Sequence, residues 1–184
     1  MQKPSKKLKI GIIATNNNKN DILSFNEELK LISQTLSDKV SLVIYGHNAE
    51  EDEKWLNDLD YEFVKPTSVI HYFKQIKALN LDIVLILLEN TLYNATSEDY
   101  NKFLETALFK IPVLAPNLPP YNQLLRNGVN GFIYNTKEDL INNIEEIMSI
   151  QDELPVIGLA AQEMMQKYFS YSEENTKVID ELFV

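Results

Sequence analysis

The residues able to do chemistry are few, and their types limit what that chemistry can be. The chain has no cysteine, which excludes disulfides, thiolate metal sites and a cysteine nucleophile. Its two histidines, His47 and His71, give no metal-ligand spacing. Neither G-x-G-x-x-G nor G-x-x-x-x-G-K-S/T occurs, so the usual glycine-rich phosphate cradles are missing, and there is no G-x-S-x-G nucleophile elbow. What remains is a set of polar residues that follow apolar runs: Thr15-Asn16-Asn17, Gly46-His47, Lys65-Pro66, Glu89-Asn90 and Pro116-Asn117. Lys102 and Glu105 stand one helical turn apart and, taken alone, read as a surface i,i+3 pair. Ahead of them Thr96-Ser97-Glu98-Asp99 has the form of a capping box, with two acids suited to a helix N-terminus.

The elements that must position these residues alternate between two periods. Leu8–Ala14, Val40–Tyr45, Tyr61–Val64, Asp82–Leu88, Pro112–Ala115 and Phe132–Tyr134 are short apolar runs and read as strands. Between them, Asp21–Leu36, Glu50–Leu59, Val69–Leu79 and Asp99–Phe109 carry apolar residues at intervals of three and four and read as helices, with another ending near Arg126. Lys137–Ile150, Pro155–Tyr168 and Ser172–Phe183 close the chain as helices. The run DIVLILL is what a central parallel strand covered on both faces should look like. Repeated strand–helix units imply a Rossmann-like, three-layer α/β/α domain with a parallel sheet of about six strands. In such a sheet ligands sit beyond the carboxyl ends of the strands, where the polar residues named above fall.

With 184 residues, one core of conventional size is expected, spanning 8–184, with residues 1–7 as a lysine-rich linker. No apolar run reaches the roughly 18 residues of a membrane span, and the start lacks a secretory pattern, so a cytoplasmic domain is expected. The net charge of -10 is concentrated at the end, where eleven acids face three lysines from Lys137 onward. That reads as a solvated helical face, and the absence of a basic stripe excludes nucleic acid as a main partner.

The stretch NKFLETALFKIPVLAPNLPPYNQLLRNGVNGFIYN carries a resemblance. Lys102-Phe103-Leu104-Glu105, Ile111-Pro112-Val113-Leu114-Ala115, Pro119-Pro120-Tyr121 and Gly128-Val129-Asn130-Gly131 follow one another as in the donor-binding segment of retaining glycosyltransferases of the GT-B fold, family 4 or group 1-like. Lys9–Asp21 resembles that family's first strand and loop, and Ser170–Phe183 its C-terminal helix, which crosses back toward the other domain (about 171–184 here).

The resemblance implies a donor-binding site for a UDP- or GDP-sugar. Glu105 matches the glutamate that accepts hydrogen bonds from the ribose diol, and Lys102 stands beside it. Lys19 matches the loop lysine that meets the diphosphate, and Asn16 lies in the same loop. Ser97 stands where many members carry a second glutamate on the sugar side, Tyr121 lies on the corner facing the donor, and Lys65 is in the loop that holds the base through its backbone. No cofactor and no essential metal are implied. The family has two Rossmann-like domains, so the N-terminal acceptor-binding domain is expected as a partner in cis or trans, and this chain alone should be inactive. Bacterial surface-glycan or polysaccharide synthesis is the expected setting, in the cytoplasm or against the inner face of the membrane. Three departures from the family pattern, Ala14, Ser97 and Glu98-Asp99, favour the alternative of a catalytically degenerate domain kept as a binding or scaffold module. A flavodoxin- or receiver-like module rests on architecture alone.

Overall fold

Six of the apolar runs form strands: β1 (Leu8–Ile13), β2 (Val40–Tyr45), β3 (Tyr61–Val64), β4 (Ile83–Leu85), β5 (Val113–Pro116) and β6 (Phe132–Tyr134). All pairings among them are parallel, in the order β3-β2-β1-β4-β5-β6. The computed structural model describes residues 6–15, 18–46, 59–97 and 100–169. Asn16, the helix expected over Glu50–Leu59 as far as residue 58, Glu98-Asp99 and the crossover helix over 171–184 lie outside them.

The helices between the strands are α1 (Lys19–Ser24), α2 (Asn26–Thr35), α3 (Val69–Ala78), α4 (Leu92–Ser97), α5 (Asn101–Ala107) and α6 (Tyr121–Leu124), and α7 (Asp139–Ser149) and α8 (Leu154–Phe169) follow β6. Because strand side chains alternate between faces, the sheet builds two cores. Leu8, Ile10, Ile12, Leu42, Ile44, Leu85 and Leu114 meet Leu29 and Ile32 of α2 and Leu140, Ile144 and Ile147 of α7. Ile13, Val43, Tyr45, Val84, Val113 and Ala115 meet Ile76 of α3 and Phe103 and Ala107 of α5. Helix α8 begins in the first core with Leu154 and Ile157 and continues in the second with Ala161. Gly158 permits this crossing, since a Cβ there would collide with the Lys110 carbonyl. The result is the three-layer domain that the alternating runs imply, with the order of the strands reversing between β1 and β4.

Two elements differ from the periodic pattern, each for a local reason. The helix expected over Asp21–Leu36 divides at Phe25, which leaves helical geometry (φ -102, ψ 15) and buries its ring edge-on to Tyr134 at 6.1 Å. The loop expected after β4 contains α4 instead. Thr96 closes that helix by donating to the Leu92 carbonyl at 2.7 Å, a back-bond open to threonine at i−4, rather than capping the next helix. Helix α5 accordingly starts at Asn101 behind Tyr100, which provides no side-chain cap.

Candidate functional site

The strand order reverses beside β1, and the crevice at the carboxyl ends of β1 and β4 is where an open α/β sheet binds ligands. The loop leaving β1 is held by Asn18, which is buried. Its Oδ1 accepts from the Thr15 amide at 2.7 Å and the Thr15 hydroxyl at 3.1 Å, while its Nδ2 donates to the Ile13 carbonyl at 3.1 Å. This side-chain clasp ties Asn18 back to Ile13 and Thr15 at the end of β1. Half-buried Lys19 opens α1 directly after it.

Asp21 carries the same helix across to β4. Its Oδ1 accepts from the Glu89 amide at 3.0 Å and from Nδ2 of buried Asn94 at 2.7 Å. Lys137, ahead of α7, donates to the Ser24 carbonyl at 2.8 Å, pairs with Glu89 at 3.2 Å and lies over the Phe25 ring at 4.6 Å. Tyr134 completes this side by donating to the Ile86 carbonyl at 3.0 Å, and its burial holds the hydroxyl well above the ordinary tyrosine range. Periodicity does not reveal any of these contacts, because each joins residues distant in sequence.

Glu105 is tied to the end of β2 through two tyrosines. Tyr72 of α3 donates to Glu105 Oε2 at 2.6 Å, and its ring packs on Tyr45, the last residue of β2, at 5.7 Å. The Tyr45 amide unit lies beside β1, its carbonyl accepting from the Ala14 amide at 2.8 Å. The Tyr45 hydroxyl shares a hydrogen bond of 2.8 Å with Thr67, just past Lys65-Pro66. Burial first, and then Glu105, push the Tyr72 hydroxyl far above its usual range, so it stays a proton donor. Glu105 is thus linked through Tyr72 to Tyr45 at the end of β2, beside which β3 ends at Val64, just ahead of the exposed Lys65.

The other sequence-predicted residues take varied places. Lys102 is half-buried one turn before Glu105, its carbonyl accepting from Thr106 at 2.9 Å. Ser97 is the last residue of α4. Tyr121 is fully buried in the second core, packed with Ala115 and Leu125 rather than facing solvent. The Gly128–Gly131 motif builds a turn: buried Asn130 accepts from the Arg126 amide at 2.7 Å and donates to the Leu124 carbonyl at 3.1 Å. His71 sits exposed in α3, bonded to Ser68 at 2.9 Å. Two surface grooves, about 490 Å³ between α2 and α7 and about 520 Å³ between α6 and α8, do not include Lys19, Lys65, Lys102, Glu105 or Tyr121 in their lining. Among the described residues no helix is long and apolar enough to cross a membrane.

No protein-family model matches the sequence, and no curated protein sequence does. Solved structures match it in fold. The C-terminal domain of a glycosyl transferase group 1 family protein (LpcC) from Francisella tularensis gives a TM-score of 0.66 at 15% identity, over 92% of this chain and 89% of that one. Anabaena HepE, crystallised with UDP-glucose, gives 0.71 at 17% identity over 97% of this chain and 49% of its own. S. aureus TarM, crystallised with UDP among other ligands, gives 0.68 at 15% identity, over 100% of this chain and 36% of its own. The chain thus spans between a third and a half of HepE and TarM, and nearly the whole of the LpcC domain. Its fold is that of a GT-B C-terminal domain, as the motifs between Lys102 and Asn135 imply.

Proposed function

We propose that the chain is the nucleotide-sugar donor-binding domain of a retaining glycosyltransferase. The observation that carries this reading is Glu105, a carboxylate half-buried on α5 and hydrogen-bonded by Tyr72, whose ring packs on Tyr45 at the end of β2. A ribose diol requires such an acceptor, and a carboxylate has room for about four hydrogen bonds. The likeness to HepE and TarM, both crystallised with UDP, supports the ligand class. In this reading Lys19 meets the diphosphate with Asn16 a donor-binding residue of the same loop, Lys102 contacts the donor near Glu105, Ser97 belongs to the sugar side, Lys65 lies in the base loop, and Tyr121 belongs to the corner at the donor site. The donor is a UDP- or GDP-sugar. No essential metal is involved, and the leaving diphosphate is stabilised by side chains and helix termini. Acceptor binding belongs to an N-terminal domain, in cis or trans, without which this chain does not turn over. Polysaccharide or surface-glycan synthesis on the cytoplasmic side of a bacterial membrane fits that pairing.

The test is the melting temperature of the chain with UDP, GDP, UDP-glucose, UDP-GlcNAc and GDP-mannose. A ligand at 100 times its Kd adds about 2.7 kcal/mol, a shift of several degrees. One base should give the shift, and Glu105→Ala should remove it while leaving the unliganded melt in place. No shift with any nucleotide would favour the second reading, a degenerate binding or scaffold domain. That reading draws on Ala14, where the family often has arginine, and on Ser97 in place of a glutamate.

A further inference from the structure

Glu105 and Tyr72 belong to helices whose contacting residues lie 33 positions apart, and they meet at 2.6 Å. A glutamate has three side-chain torsions, so a carboxylate that must present its lone pairs in one orientation gains from being held there before the ligand arrives. Resting on the donor-site reading above, we propose that Tyr72 is a positioning residue that fixes the Glu105 carboxylate for the 2′,3′-diol of a nucleoside diphosphate, and so sets selectivity for ribose over deoxyribose.

Three observations support it. The Tyr72 ring is itself held, tilted against Tyr45 at 5.7 Å and edge-on to Phe73 at 5.3 Å, so its hydroxyl has a defined place. Tyr45 is tied in turn to Thr67 at 2.8 Å, which follows Lys65-Pro66. The loop expected to meet the base and the acid expected to meet the ribose therefore share one aromatic support. The Tyr72 hydroxyl also keeps its proton, since burial and the neighbouring carboxylate both favour the neutral form. It therefore donates to Glu105, a carboxylate having about four acceptor sites in all.

Tyr72→Phe removes the hydroxyl and retains the ring, so contacts with Tyr45 and Phe73 persist. Titration calorimetry on the 184-residue chain would compare UDP with 2′-deoxy-UDP, and GDP with 2′-deoxy-GDP. The expected result is a ribonucleotide affinity lowered about tenfold, the worth of one charge-assisted bond, with the deoxy analogue changed less than about twofold. In a Glu105→Ala background the same substitution should have no further effect, because Tyr72 acts through that carboxylate. Equal losses for ribo- and deoxynucleotide would mean a merely structural tyrosine and overturn the inference, as would an unchanged ribonucleotide affinity. If the wild-type chain binds neither UDP nor GDP, the donor-site reading falls and this inference falls with it.

Discussion

One carboxylate oxygen, Oδ1 of Asp21, joins α1 to the end of β4 and to α4. It accepts from the Glu89 amide at 3.0 Å and from Asn94 Nδ2 at 2.7 Å, and Asp21→Ala deletes both bonds. Hydrogen bonds to charged groups contribute about 1.5–3 kcal/mol each. The loss is smaller than the sum, because Asn94 keeps its bond to the Glu89 carbonyl at 3.0 Å and Asp21 is only half-buried, so water can replace part of what is removed. A total of about 2–3 kcal/mol follows. Asp21→Asn retains an acceptor oxygen and loses the charge, so it should cost about 1 kcal/mol. Urea unfolding followed by circular dichroism would read both, with an unchanged slope showing that the folded state is intact. At this chain length the alanine variant should melt about 5–10 °C lower. A loss below about 0.5 kcal/mol for Asp21→Ala would refute the claim that this oxygen ties the crevice together.

Two further outcomes follow from the buried tyrosines and from one glycine. Burial, with Glu105 adding to it at Tyr72, raises the hydroxyl pKa of both Tyr72 and Tyr134 in the folded chain, so the folded state keeps protons that the unfolded chain releases near pH 10. Stability should therefore be complete below about pH 10 and decline as pH rises above it, and Tyr72→Phe with Tyr134→Phe should flatten that decline in urea titrations. Gly46 has φ +100, and a Cβ there would lie 2.6 Å from the Ala14 carbonyl oxygen. Gly46→Ala should destabilise by about 1–3 kcal/mol, measured the same way, since both strain and a backbone clash oppose it.

The sheet was legible because its signal is local. LKIGII, VSLVIY, YEFV and FIY are strands where apolar, β-branched runs end at turn residues, and each run contains its own reason to be extended. Helix α4 was not legible, since Leu92 and Tyr93 in its first turn are 82% and 75% exposed and leave no apolar stripe to detect. The division of the first helix at Phe25 was equally hidden, because it depends on Tyr134, a partner more than a hundred positions away. The same division separates the site's parts. Glu105 could be picked out by its motif, but Tyr72, Asp21, Asn94 and Lys137 enter only through tertiary contacts, the longest of which joins Lys137 to Ser24 across 113 positions. Tyr121 shows the converse, a residue named by its motif that the fold uses in its core.

The two readings of this domain differ in what they ask of Glu105. A scaffold needs the contacts that hold α1, β4 and α7 together, and Asp21, Asn94 and Lys137 serve that need whatever binds in the crevice. The donor-site reading asks in addition for a carboxylate on α5 that can accept from a ligand. Taking an acid partly out of water costs solvation that its hydrogen bonds only partly return, and replacing buried ionic groups by apolar residues is often neutral or stabilising. Glu105 meets the Tyr72 hydroxyl, and the Tyr72 ring packs in turn on Tyr45. A carboxylate already oriented by a tyrosine hydroxyl suits a ligand that needs an acceptor. On the donor-site reading that ligand brings hydroxyl donors to Glu105, as a ribose diol does.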